Sequence, residues 1–249
     1  MIDPEHIYRH EWKYLISLPE AELLRRRLSS VLKPDPHGGK DGGYLIRSLY
    51  FDDWQNSAYA QKMMGVYSRK KWRIRIYNFS DRKISLERKK KSGNYIYKES
   101  TDLSRDEFER ILSGDFGFLL NRQDNLSGEF YVECVSELLR PKVIVDYNRI
   151  PLILDEGTVR ITFDSEVSAG LGGFNIFDST LPTLLAQDPN YVILEVKYTQ
   201  FLPRIVEQLL PPQSREFVAF SKYVACYDIA HHLTDTTAGI SKTSKGWRN

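Results

Sequence analysis

The chain has few of the residues that usually carry redox, metal or nucleophilic chemistry. It contains only two cysteines, Cys134 and Cys226, so it has no disulfide framework, and a reducing cytoplasm is the expected compartment. Its five histidines show no metal-ligand spacing, and together with the cysteines they form no zinc motif. Neither a Walker A motif nor a Rossmann glycine fingerprint is present, which argues against nucleotide binding by those routes.

Long apolar runs are missing as well. No stretch is long enough to cross a bilayer, and the N-terminus lacks the basic-then-apolar order of a signal peptide, so we expect no membrane segment. With 41% hydrophobic and 27% charged residues, the composition is that of a soluble globular protein. The absence of repeats and of composition breaks predicts one domain over residues 1–232, followed by a disordered tail at 233–249.

The positive charge is concentrated in one stretch, Ser68 to Lys91. Eleven of its residues are Lys or Arg and two are acidic, so it carries a net charge of +9, whereas the whole chain carries +2. Apolar residues alternate with Arg73 and Arg75, and the alternation resumes after a short polar gap. This pattern predicts a β-hairpin with both arginines on one face.

That charged hairpin face has two interpretations. It is either a solvated surface with ordinary charged residues or an anion site, because planar guanidinium groups match the oxygens of phosphate. The hairpin alone supports the two interpretations about equally.

The same pattern recurs in other predicted strands, which combine an apolar face with a face of ionisable groups of both signs. An antiparallel sheet closed into a β-barrel explains it, with the charged face inward and helices over the apolar exterior. Arginine and lysine buried in such a lumen require an anionic ligand, and single carboxylates among them suggest a bridging hard metal ion. The strands that repeat the pattern carry Arg9, Glu11 and Lys13; Arg160, Thr162 and Asp164; and Glu195 and Lys197.

Eight short motifs, in this order, resemble those of the VTC domain. This is the catalytic domain of the vacuolar transporter chaperone-type polyphosphate polymerases, within the triphosphate tunnel metalloenzyme superfamily. Each motif is weak by itself, but eight in order are specific, and they cover about residues 7–228. The motifs are Arg9 to Tyr14, Tyr50 to Asp53, Arg73 to Arg75, Leu86 to Lys89, Tyr147 to Arg149, Val159 to Ile161, Leu194 to Lys197 and Phe220 to Tyr223.

The resemblance implies an α+β fold, with a closed eight-stranded antiparallel β-barrel whose charged lumen binds a triphosphate and with helices packed outside. It implies Glu195 as the principal carboxylate for Mn²⁺ or Mg²⁺, assisted by Glu87 and Glu11. The implied catalytic residues are Arg73, Arg75, Lys89, Arg149, Arg160 and Lys222. The implied substrate-binding residues are Lys13, Lys98 and Lys197.

One position departs from the superfamily pattern. Arg9 stands where the CYTH-type triphosphatases have the first glutamate of a Glu-x-Glu-x-Lys signature. The loss of that carboxylate suits a single-metal, polymerase-like site better than a two-metal hydrolase.

Structural roles stay open for several of these residues. Arg73 and Arg75 could be paired surface arginines, and Glu195 could merely neutralise Lys197. Asp52 is expected to start a helix rather than to bind metal. Asp164 is either a metal ligand or a turn residue at a strand end.

The implied function is phosphoryl transfer from ATP to a growing polyphosphate chain. Two alternatives share the site: a triphosphatase acting on inorganic triphosphate or a nucleotide, and a binder of polyphosphate without catalysis. Nucleic-acid binding ranks last, because the basic residues alternate with carboxylates and would lie inside a closed barrel. The expected partners are therefore ATP and polyphosphate or inorganic triphosphate, and no nucleic acid.

Overall fold

The computed structural model describes residues 10–39, 41–93, 95–199, 201–211 and 220–243, and the side chains of the last helix as far as His232. The predicted features at Arg9 and at residues 244–249 lie outside these ranges.

Within the residues that the structure describes, one antiparallel sheet of ten strands organises the fold. The strands are β1 His10–Ser17, β2 Lys33–Pro34, β3 Tyr44–Asp52, β4 Ser68–Tyr77, β5 Ser80–Ser92, β6 Tyr95–Leu103, β7 Arg140–Leu154, β8 Val159–Gly170, β9 Thr183–Leu185 and β10 Tyr191–Tyr198. Eight of them follow the path β1-β10-β8-β7-β3-β4-β5-β6, while β2 pairs with β7 and β9 pairs with β8.

The described ranges contain six α-helices and two short 3-10 helices. The α-helices are α1 Leu18–Leu28, α2 Ser57–Met63, α3 Arg105–Ser113, α4 Asn125–Ser136, α5 Arg204–Leu209 and α6 Lys222–Thr243, and the 3-10 helices are Gly117–Asn121 and Glu156–Thr158. None of the helices in the described part of the chain combines the length and the apolar character needed to cross a membrane.

The sheet is curled, and the predicted closed barrel is wrong. Its end strands are β1 and β6, and no backbone pairing joins them within the described ranges. They approach through side chains: the ring centroids of His10 on β1 and Tyr95 on β6 are 6.3 Å apart. The Lys89 ammonium of β5, the strand next to β6, also lies 2.9 Å from a Glu11 carboxylate oxygen. A period of two fixes the two faces of a sheet, but it does not fix the register in which the first and last strands would meet.

The predicted division of faces is present. On the apolar, convex face, Trp72 and Leu86 of the hairpin pack with Phe108 of α3 and Phe130 of α4. A second cluster joins α1 and α5 to β1, β8 and β10, with Leu28 at its centre. These helices leave the opposite, concave face free for the charged side chains.

Helix α6 covers part of that concave face. Its Tyr223 stacks on Tyr50 of β3 with ring centroids 5.1 Å apart, and Cys226 is buried in the same cluster. The helix continues to Thr243, into the segment at 233–249 predicted to be disordered. Because it begins at Lys222, it brings a cation from the end of the chain onto the sheet.

Candidate functional site

The central part of the concave face gathers ten cationic and four acidic side chains from seven strands and α6. All twelve predicted site residues lie on it, together with two that were not assigned a site role. The cations are Lys13, Lys71, Arg73, Arg75, Lys89, Lys98, Arg149, Arg160, Lys197 and Lys222, and the carboxylates are Glu11, Glu87, Asp164 and Glu195.

Glu195 lies at the centre of the largest cluster. Its carboxylate contacts Lys197 at 2.6 Å, Lys222 at 3.1 Å and Lys13 at 3.2 Å. Arg149 is the fourth cation, at 3.5 Å. Burial alone would raise the pKa of Glu195, but Lys13, Lys197 and Lys222 hold it well below its ordinary value. The carboxylate is therefore ionised and buried. Because it contacts four cations, the interpretation in which it only neutralises Lys197 does not describe its surroundings.

Asp164 completes this cluster. It has no exposed surface, and it accepts two 2.7 Å hydrogen bonds from the Arg149 guanidinium and lies 2.7 Å from the Lys222 ammonium. The role as a turn residue is excluded, because β8 continues to Gly170. The signal that could have identified Asp164 is its shared strand phase with Arg160.

Glu87 holds a second cluster. It contacts Arg73 at 2.6 Å, Lys98 at 2.8 Å and Arg75 at 3.9 Å. Burial alone would raise the pKa of Glu87, but these cations lower it below its ordinary range. Arg75 is only 6% exposed, which excludes the surface interpretation of the arginine pair.

Tyrosine hydroxyls fix the two arginines of the hairpin. Arg73 donates to the hydroxyl of Tyr50 at 2.9 Å, and Arg75 donates to that of Tyr147 at 3.0 Å. Because both guanidinium groups are held by neighbouring strands, the site is preorganised for planar anions.

The three predicted metal carboxylates do not converge. Glu11 and Glu195 share the Lys13 ammonium, each at 3.2 Å, whereas Glu87 shares no cation with either of them among the described contacts. Within the described ranges, no group of three or more His, Cys, Asp or Glu side chains is arranged to hold a metal ion. A hard ion that takes most of its ligands from phosphate oxygens needs only one or two carboxylates, and Glu195 with a neighbour fits that requirement.

Asp52 has the structural role expected for it. Its carboxylate accepts the backbone N–H groups of Ala58 and Tyr59 in the first turn of α2, and it also accepts the Tyr223 hydroxyl at 2.7 Å. These bonds occupy both oxygens and tie α6 to the sheet.

Lys71 differs from the other cations of the face. Its ammonium donates to the Ser221 hydroxyl at 2.9 Å and lies 5.0 Å from the Tyr223 ring centroid, but it contacts no carboxylate within the described part of the chain. Burial lowers the pKa of Lys71 well below its ordinary value, and Lys13 and Lys89 lower it further. Sequence analysis missed this residue, although it lies two positions before Arg73 and so shares its face.

A loop carboxylate, Asp35, neutralises the other end of the face. It contacts the Arg160 guanidinium at 2.5 Å, and Arg160 also donates to the Tyr44 hydroxyl at 2.9 Å. The side chain of Asp35 is 3% exposed and accepts the backbone N–H of His37. No strand pattern could have pointed to it, because it lies in a glycine-rich loop.

Comparisons with known proteins agree with this geometry. The family model of the VTC domain matches residues 8–231. No curated protein matches the chain. Among solved structures, a putative adenylyl cyclase from Hippeastrum, described as revealing a dominant triphosphatase activity, matches with a TM-score of 0.54 and 15% identity, covering 89% of this chain and 95% of that chain. A putative adenylate cyclase from Bacillus halodurans has a TM-score of 0.49 and 14% identity, covering 87% of this chain and 93% of that chain. The Hippeastrum protein shares the fold.

Proposed function

Because this chain belongs to the VTC domain family, we propose that it binds a triphosphate on its concave face and transfers a phosphoryl group from ATP to a growing polyphosphate chain. The observation that carries the proposal is the surplus of these ten cations over the five carboxylates that contact them, which are Glu11, Glu87, Asp164, Glu195 and the loop residue Asp35. The ten include Lys71, which has no carboxylate among its described contacts. A partly buried ammonium without a counterion is costly unless an anion completes its surroundings.

The carboxylates leave part of each cation cluster available to phosphate. Lys71 has no acidic partner in the described ranges, and Arg75 is 3.9 Å from Glu87, beyond direct hydrogen bonding. Arginine matches phosphate oxygens with two parallel hydrogen bonds, so Arg75 is suited to the equatorial oxygens of the transferred group. Arg73 and Arg149 donate to Glu87 and Asp164 and would add positive charge beside it. Their fixed positions would stabilise charge as it develops in a loose, in-line transition state.

Glu195 is the carboxylate that we assign to Mn²⁺ or Mg²⁺. Such an ion, when bound, would neutralise part of the negative charge of the phosphate groups. Glu11 and Asp164 are the nearest assistants, because they share Lys13 and Lys222 with Glu195. Glu87 is better suited to positioning Arg73 and Lys98 in the other cluster.

The reaction needs no general base. The terminal phosphate of a growing chain is already ionised at neutral pH, so its oxygen can attack the γ-phosphorus of ATP directly. The new bond joins that oxygen to the γ-phosphorus, the bond from the γ-phosphorus to the bridging oxygen breaks, and ADP leaves with the electron pair. Lysines along the face would hold the polyphosphate chain beside the triphosphate of ATP and offset the repulsion between these two anions.

A triphosphatase is the second candidate. The observation in its favour is the fold shared with a Hippeastrum protein described as having a dominant triphosphatase activity. Water would then replace the terminal phosphate as the nucleophile, while the cations keep the same roles. The two candidates therefore differ in the acceptor and not in the site.

The test is to incubate the purified protein with ATP and Mn²⁺, with and without a short polyphosphate primer. A ladder of polyphosphate on a gel, with ADP equal to the incorporated phosphate, would support the polymerase. Orthophosphate without a ladder would support the triphosphatase. Tight tripolyphosphate binding without turnover would refute both enzymes and favour the polyphosphate binder.

Matched variants make that experiment specific to the site. Glu195→Gln should abolish turnover but keep tripolyphosphate binding, because the cations remain. Glu137→Gln, which changes an exposed glutamate after α4, should keep full turnover. Loss of turnover in both variants would mean that the assay reports folding rather than the site.

A further inference from the structure

The chain exposes a contiguous apolar patch at the end of α2. Met63 is 61% exposed, Met64 73% and Tyr67 70%, and Val66 between them is 37% exposed. Helix α2 buries none of its residues. We call these four residues the apolar patch. Single exposed apolar residues are ordinary, but four large ones within five positions mark an interaction surface.

Positive charge surrounds the apolar patch. No aspartate or glutamate occurs from Trp54 to Ser80. Arg69 donates to the Val66 carbonyl oxygen at 2.7 Å, which holds its guanidinium beside the patch. Burial lowers the pKa of Lys62, and the charges of Arg69 and Lys13 lower it further.

The end of the β4–β5 hairpin adds a third cation. Lys91 pairs in register with Arg69, and the Gly93 N–H donates to the Tyr67 carbonyl oxygen at 3.1 Å, so the hairpin end lies against the patch. Among the described contacts, Lys62, Arg69 and Lys91 form no ion pair with a carboxylate. Their charge is therefore available to an external partner.

We propose that the apolar patch docks on the surface of an anionic lipid bilayer. An apolar centre of methionine, valine and tyrosine can enter the boundary between headgroups and acyl chains, while lysine and arginine around it attract acidic headgroups. The lysine and arginine side chains beside the patch complement a lipid surface rich in negative charge. The proposal does not depend on the reaction proposed above.

This surface lies at one end of the concave face. β4 begins at Ser68, directly after the patch, and its residues Arg69, Lys71 and Arg73 alternate onto the same side of the sheet. Docking would therefore bring the end of the site that holds Lys71 close to the membrane surface.

The experiment measures cosedimentation of the full chain with vesicles. Vesicles of phosphatidylcholine with phosphatidylglycerol should bind the chain, vesicles of phosphatidylcholine alone should not, and salt should weaken the binding. The triple variant Met63→Ser, Met64→Ser, Tyr67→Ser should bind anionic vesicles about a hundredfold more weakly. As the matched control, Leu23→Ser with Ile205→Ser, at exposed apolar residues of α1 and α5, should bind as the parent chain does.

Two further measurements keep the proposal falsifiable. If the triple variant fails to fold by circular dichroism, the charge variant Lys62→Gln with Arg69→Gln tests the same surface and should lose the preference for phosphatidylglycerol. Equal binding to both kinds of vesicle, no binding, or unchanged binding by the variants would overturn the proposal. A dimer seen by sedimentation that the triple variant abolishes would also overturn it, because the patch would then be an interface between two copies of the chain.

Discussion

The guanidinium of Arg149 and the carboxylate of Asp164 form a bidentate pair, with both hydrogen bonds at 2.7 Å, and Asp164 is fully buried. The same carboxylate lies 2.7 Å from the Lys222 ammonium. Asp164 therefore sets the positions of two cations that also contact Glu195. We regard it as a positioning residue, because it acts through the cations.

Asp164→Asn should lower both stability and affinity for tripolyphosphate. The change leaves Arg149 and Lys222 buried with one carboxylate fewer, and breaking a buried ion pair costs about 3–5 kcal/mol. The two cations would also lose their orientation. Denaturant unfolding should show the loss of stability, and titration calorimetry on the folded fraction should show affinity reduced about tenfold or more.

A second buried pair provides the control for that prediction. Arg47 and Asp146 are joined at 2.6–3.1 Å, with Arg47 1% exposed, and both side chains alternate onto the opposite face of the sheet. Asp146→Asn should reduce stability by a similar amount and leave the affinity for tripolyphosphate unchanged. Equal losses of affinity in the two variants would contradict a specific role for Asp164.

The alternation of apolar and charged residues along the strands is sufficient to predict the charged face. It does not predict every carboxylate that neutralises the cations of that face. Arg73, Arg75 and Lys197 lie where strand phase places them, because a β-strand has a fixed period of two. Asp35 could not be predicted, since it reaches Arg160 from a loop distant in sequence. The packing of α6 on the sheet likewise depends on tertiary contacts that no local pattern reveals.

Local sequence patterns also fail to determine whether the sheet closes. The pattern of charged strand faces predicts a sheet closed into a barrel, and the family resemblance implies the same closure. In the structure the two end strands approach only through side chains such as His10 and Tyr95, and no backbone pairing joins them within the described ranges. Closure depends on the summed twist and register of eight strands, and a small difference in each strand leaves the ends apart.

Lys71→Met should stabilise the free protein and weaken ligand binding. Methionine fills a similar volume without a charge, so the variant removes the cost of a buried ammonium that has no carboxylate among its described contacts. We expect a higher melting temperature without ligand and a smaller upward shift on adding tripolyphosphate. A lower melting temperature without ligand would show that Lys71 is well compensated in the free protein.

Binding of tripolyphosphate should take up protons at Lys71. Its pKa in the free protein is well below the ordinary value of 10.5, so in the window between these two values the side chain is partly neutral. A nearby phosphate favours the ammonium and raises the pKa, so binding adds a proton and affinity falls as pH rises through that window. Calorimetry in two buffers of different ionisation enthalpy measures the uptake. It should decrease in Lys71→Met and stay the same in Lys83→Met, where the lysine is exposed.

Asp35→Asn should increase the affinity for tripolyphosphate. In the free protein the Asp35 carboxylate contacts Arg160 at 2.5 Å and so competes with phosphate for that guanidinium. The amide keeps the shape but not the charge, and we expect binding about tenfold tighter. Asp81→Asn, at an exposed carboxylate 3.6 Å from Arg105, should have no effect. Weaker binding in Asp35→Asn would mean that the loop contact holds Arg160 in its binding position.

The protein should lose stability steeply in acid. The pKa values of Glu87, Asp164 and Glu195 are lowered in the folded state, because cations overcome the opposing effect of burial. These carboxylates therefore stabilise the fold fully above their unfolded pKa values, about 4, and the stabilisation disappears as pH falls through the lower folded values. Each contributes a slope of up to about 1.4 kcal/mol per pH unit. Glu87→Gln should reduce the change of unfolding free energy with pH by the contribution of one titrating carboxyl group. Urea unfolding at several pH values measures this change. Glu109→Gln, at an exposed glutamate, should keep the parent slope, and an unchanged slope in Glu87→Gln would contradict the lowered pKa.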